Sequence, residues 1–140
     1  MRRDLQVLGA VAAGGALGAS ARAGMEQGWG QGAGTFPWTT LGINVAGSLL
    51  LGMLTVLTTV FAAAWWVRPL LGTGALGGFT TFSAYVVWAG ELAVGDDMAL
   101  AAGYLVATPV LCVAAAWLGA HCPAVLGLPH GHPPLARTQE

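Results

Sequence analysis

The chain contains no lysine, and charged residues fill only 8% of its 140 positions. A soluble domain carries roughly a quarter charged residues. A water-facing surface cannot be built from so few, so most of the molecule must face lipid. No Asp, Glu or Lys falls in the middle of any long apolar run. Proton-coupled transporters and multidrug exporters usually need a titratable carboxylate at that depth. Paired carboxylates and Ser/His arrangements are missing too, and His121, His130 and His132 all follow the last apolar run, so an enzyme is not expected. Those histidines and Cys122 show no repeated ligand spacing, which argues against a metal site there. Cys112 and Cys122 are ten residues apart on or near one helix, beyond bridging distance if that helix continues.

What is present is apolar sequence in long pieces, with a mean hydropathy of +0.69. Four runs, at about 5–23, 38–64, 69–90 and 98–120, reach the ~17 to 20 residues that cross a hydrocarbon core. The expected fold is therefore all-α, with four transmembrane helices in one domain over 1–121. The first run has the length and glycine content of a retained helix rather than a signal peptide. Glu26 to Pro37 reads as a Gly-rich loop, Trp65 to Arg68 as a tight corner with interfacial tryptophans, and Glu91 to Asp97 as an acidic turn. Residues 122–140 are rich in proline and read as a disordered tail.

Small residues recur at helix-packing spacing. Gly14 with Gly18, Gly74 with Gly78, and Ser48 with Gly52 each form a small-xxx-small pair, which lets backbones approach closely in lipid. Four thin helices leave little room inside, so one subunit is too small to enclose a pore and a dimer is expected.

Polar residues inside the runs are the sharper signal, because lipid does not satisfy them. Thr40, Asn44 and Ser48 share one face of the second helix, and Tyr104, Thr108 and Cys112 share one face of the fourth. Single hydroxyls can bond the carbonyl four residues back, so the functional weight falls on Asn44. Arg22 lies near the far end of the first run, where it either snorkels or sets a positive potential. The third run carries "GALGGFTTFSAY", with Gly77 and Gly78 followed by Thr80, Thr81 and Ser83. Each glycine weakens a helix by roughly 1 kcal/mol relative to alanine. A break there, near the middle of the third helix, frees backbone groups that must be buried or bound, and freed carbonyls coordinate cations well. Phe82 and Tyr85 share a face, and aromatic edges can meet an anion without titrating. An interior of uncharged donors suits a small anion.

"GFTTFSAY" resembles the GG-x-TTFSTF motif of the CrcB/Fluc fluoride channels. "PWTTLGINVAGSLLLG" is similar to their second-helix segment, and "GGALGASAR" to their first-helix segment. The three occur in the family's order and spacing. The resemblance implies a fluoride-selective channel in the cell inner membrane that lets cytoplasmic fluoride run out passively. It implies an antiparallel, dual-topology dimer of two copies in the lipid bilayer, or of this chain with a paralogous one, and no nucleic-acid partner. Asn44, Phe82 and Tyr85 would line each fluoride pathway. Tyr104, Thr108 and Cys112 would form a polar track, and Arg22 would match the first-helix arginine. Ser48, Thr81 and Ser83 are counted with the pathway for their place in these motifs. The carbonyls of Gly77 and Thr80 would hold a structural sodium ion at the dimer centre. Thr39, Tyr85 and Cys112 depart from the family pattern. The arginines favour a fixed orientation, since Arg2, Arg3, Arg68 and Arg137 fall on one side of a four-span layout. The rival readings are a small multidrug-type exporter and a structural protein assembled through its glycine faces.

Overall fold

The computed structural model describes residues 1–29, 32, 35–95 and 97–125, with the side chains of 123–125 left aside. All regular structure among them is helical. Helix α1 is Arg2–Gly28, α2 is Trp38–Val60, α3 is Arg68–Leu76, α4 is Phe82–Val94 and α5 is Met98–Val125. A single α-turn, Gly77–Phe79, continues α3, and the interrupted unit Arg68–Val94 is one of three helices among the described residues long and apolar enough to cross a membrane. The other two are Trp38–Val60 and Met98–Cys122.

The expected first span is not among these three. Helix α1 is long, but Gln6, Arg22 and its glycines make it less apolar than the other three. It also runs five residues past the expected end at 23, so Glu26 lies on the helix and not in the loop. The second helix ends earlier than expected, at Val60, where Ala62 turns the chain with a left-handed φ of 44°. The last helix runs beyond 120, to Val125. The expected tail at 126–140 lies outside the described residues.

The glycine pairs meet each other. A Cβ on Gly14 would overlap the Leu70 carbonyl, one on Gly18 the Ala75 carbonyl, and one on Gly78 would come within 2.5 Å of the Gly15 carbonyl. Helices α1 and α3 thus lie backbone against backbone. Gly52 and Gly119 do the same for α2 and α5, against Ala116 and Leu49. Such close approach is how helices gain van der Waals contact where lipid supplies no hydrophobic drive. A smaller apolar cluster of Leu41, Tyr85, Ala89, Leu92, Ala101 and Tyr104 joins α2, α4 and α5.

The third span is broken, but not at its glycines. Gly77 is helical at φ −66° and ψ −35°, and Gly78 serves the contact with Gly15. The chain extends only at Thr80 (φ −76°, ψ 155°) and Thr81 (φ −145°, ψ 126°). Upstream, α3 winds as a π-helix, with the Gly77 N–H reaching the Gly72 carbonyl five residues back.

Candidate functional site

The hydroxyls of the third-span motif manage the break. Thr80 Oγ1 donates to the Leu76 carbonyl at 2.9 Å and closes the upstream end. Thr81 Oγ1 accepts from the Ala84 N–H at 3.2 Å and caps the downstream helix. Ser83 Oγ lies 3.3 Å from the same Thr81 oxygen.

Asn44 completes the repair. Its Nδ2 donates to the Thr81 carbonyl at 2.9 Å, and its Oδ1 accepts from the Thr81 N–H at 2.8 Å. One side-chain amide therefore replaces both halves of a lost backbone pairing. In a continuous helix that N–H would bond the Gly77 carbonyl. Turned to Asn44, it leaves Gly77 without its helical partner. Gly47, one turn along α2, has no side chain because the Thr80 methyl fills that space, which brings the break within reach of Asn44.

A second repair joins α4 to α5. Pro109 sits inside α5 and has no N–H, so the Leu105 carbonyl has no helical donor. The Tyr85 hydroxyl donates to it at 2.6 Å. This fixes the Tyr85 ring, which is tilted 52° to Phe82 and 49° to Tyr104 at centroid distances of 5.6 and 5.4 Å.

These residues face a half-open groove of about 740 Å3. Asn44, Ser48, Thr81, Phe82, Tyr85, Thr108 and Cys112 line it, as do Gly77 and Thr80. Phe82 is 77% exposed although it lies in the groove wall. Tyr104 is fully buried behind Tyr85, one helical turn from Thr108. Tyr104 Oη and Thr108 Oγ1 are buried and lack a hydrogen-bond partner among the described residues. A buried hydroxyl left so costs about 1–3 kcal/mol. Ser83 and Arg22 belong instead to a second cavity of about 460 Å3, which shares Thr81 with the groove. There Arg22 Nη1 pairs with both Glu26 carboxylate oxygens at 3.2 Å, and its Nε lies 3.5 Å from the Gly78 carbonyl. Thr40, expected on the Asn44 stripe, is fully buried.

Among the described residues the groove's lining includes no carboxylate. What it offers an ion is hydroxyls, one amide, a thiol, aromatic edges and, at one end, the Arg68 guanidinium, gathered from motifs far apart in sequence. The chain matches the CrcB-like protein family, described as camphor resistance (CrcB), over residues 9–120. It belongs to that family. The "Fluoride-specific ion channel FluC 1" of Streptomyces coelicolor is 43% identical over 120 residues, covering 85% of this chain and 78% of the relative. The "Fluoride-specific ion channel FluC" of Opitutus terrae is 40% identical over 125 residues, covering 82% and 89%. That of Nitrobacter hamburgensis, "FluC 1", is 42% identical over 122 residues, covering 84% and 94%.

Three features of this CrcB-like chain escaped the sequence reading. Pro109 within an apolar run marks an orphan carbonyl four residues back, and that rule would have found Leu105. The i, i+4 spacing of Arg22 and Glu26 would have found their ion pair had α1 been drawn longer. Arg68, Thr55, Thr58 and Thr73 also line the groove, although the sequence around Arg68 reads as a corner.

Proposed function

We propose that the protein is a fluoride channel and not an enzyme. The observation that carries this reading is the groove: hydroxyl and amide donors, ring edges and one arginine, with no carboxylate among its described residues, in a chain related to proteins named fluoride-specific channels. Fluoride is small and strongly hydrated, so a pathway must replace its water with donors yet release it quickly. Thr108 supplies a buried hydroxyl with no hydrogen-bond partner among the described residues, and Tyr104 a second one turn away. Tyr85 and Phe82 offer positive ring edges. Asn44 keeps one amide N–H beyond its bond to Thr81, and its larger contribution is to hold the break in shape.

The working form is a dimer of antiparallel subunits in the inner membrane, with each chain crossing four times and α1 carried by its glycine seam to α3. The wide exposure of Phe82 in the wall of an open groove supports this, since a second subunit would cover both. A second copy is the simplest partner, and a paralogous chain would serve the same geometry. The break also fits a structural sodium ion. Gly77 has lost its helical donor, Thr80 is extended, and both lie on the groove. Two carbonyls from each of two subunits would hold the ion, which would supply a fixed positive charge tying the breaks together. Passive export would protect the cell from fluoride.

The test is ion efflux from liposomes containing the purified protein. Fluoride should leave rapidly and chloride should not. Equal flux of the two ions, or none of either, would sink the reading.

A further inference from the structure

Two arginines face cavities in the described structure, and their surroundings differ. Arg22 is neutralised by Glu26. Arg68 has no carboxylate within ion-pair distance among the described residues. Its Nε–H goes to Thr58 Oγ1 at 2.8 Å, and its Nη2 to Thr59 Oγ1 at 2.6 Å and the Thr55 carbonyl at 3.3 Å. The Thr58 and Thr59 hydroxyls donate onward to their own helix, to the Leu54 and Thr55 carbonyls. Their protons are thus committed, and they hold the guanidinium only as acceptors. Nη1 makes none of these bonds, so two charged N–H groups remain for something else.

The position of Arg68 is equally specific. It opens α3 two residues after Trp66, which with Trp65 is exposed at 45%, as residues at a membrane boundary are. It lines the same groove that reaches the break at Thr80 and Thr81. Twelve residues separate Arg68 from Thr80, at most about 18 Å along a helix and roughly half a hydrocarbon core. The groove therefore runs from boundary depth to mid-membrane, with a free positive charge at its outer end.

We propose that Arg68 is an anion-collecting site at the outer mouth of the groove, binding a small hydrated monovalent anion through Nη1 before it reaches the uncharged donors. This rests on the fluoride-channel reading for the identity of the anion. Thr58 and Thr59 position the guanidinium. Binding there is weak, because the site is open to water and the charge is screened by salt. It raises the local concentration of fluoride rather than trapping it.

The alternative is that Arg68 only ties α3 to the end of α2, and charge separates the two. In liposomes at low ionic strength, Arg68→Gln should raise half-saturating fluoride about fivefold, as loss of one unit charge near ~4 Å in water would. Flux at saturating fluoride should stay within about twofold of the original, and the difference should fade at high salt. Arg68→Lys keeps the charge and should stay close to the original. A second readout is the 19F line width of sodium fluoride with protein in maltoside micelles, which contain no phosphate. Broadening should fall with Arg68→Gln and persist with Arg68→Lys. Unchanged half-saturation and unchanged broadening in Arg68→Gln would overturn the proposal, as would equal losses in the Gln and Lys variants. If the micelle difference vanishes while a liposome difference remains, lipid phosphate occupies Arg68 and the proposal is wrong. If Arg68→Gln does not purify folded, the original protein decides, since its half-saturating fluoride must rise with ionic strength. A protein that broadens fluoride through Arg68 yet conducts none would keep this site and discard the channel.

Discussion

The Tyr85 hydroxyl donates at 2.6 Å to the Leu105 carbonyl, the one backbone acceptor that Pro109 strips of its helical donor. A polar tip on an aromatic ring and a proline one helix away are thus a matched pair. Tyr85→Phe should destabilise the protein by about 1–2 kcal/mol and keep substantial fluoride flux, because the ring edge stays. In a Pro109→Ala background, where α5 can satisfy Leu105 itself, the same change should cost almost nothing. Thermal unfolding of the four proteins measures the coupling. Equal costs in both backgrounds would disprove the pairing.

Tyr85→Ile separates ring from bulk. It keeps most of the volume but removes the polarised edge, so fluoride flux should drop more than tenfold. If Ile conducts as Phe does, the ring is packing only.

Asn44→Asp keeps the acceptor for the Thr81 N–H but sets a carboxylate oxygen against the Thr81 carbonyl. One hydrogen bond becomes a repulsion, costing about 1–3 kcal/mol, and an anionic group enters the groove wall. Liposome flux should fall at least tenfold. Flux within about twofold of the original would free Asn44 from both roles.

Glu26→Gln removes the counter-charge of Arg22 at the smaller cavity. Surface pairs of this kind contribute below about 1 kcal/mol to stability, so folding should be unaffected. Half-saturating fluoride at low salt should fall roughly two- to fivefold as Arg22 is unmasked. A rise, or no change at any salt, would show that this cavity lies off the pathway.

A structural sodium ion would stabilise the folded dimer by mass action. Replacing sodium with N-methylglucamine should lower the thermal midpoint, and adding sodium back should restore it over a saturable range. A midpoint indifferent to sodium would remove the ion from the Gly77 and Thr80 carbonyls.

The helices were legible because hydropathy and length act over twenty residues and average out local detail. The glycine seam was legible too, as Gly14 with Gly18 and Gly74 with Gly78 have no better use in lipid than close contact. The break was misplaced by about three residues. Glycine propensity pointed to Gly77 and Gly78, but hydroxyl capping at Thr81 and the amide of Asn44, distant in sequence, decide where the backbone opens. Arg68 was invisible as a groove residue because its neighbours in sequence are corner residues. Only the fold of α2 onto α3 brings Thr55 and Thr58 beside it.

The seam between α1 and α3 also dictates an order of assembly. Helix α1 is synthesised before α3, yet the backbone it must lie against begins only at Arg68. In that interval it is a moderately apolar helix with an ion pair, and α2 offers it far less contact than α3 will. Its close packing forms late, when Gly74 and Gly78 arrive. A nascent chain cut off before Arg68 would hold its first helix only loosely, and quality-control proteases would meet an unanchored glycine face.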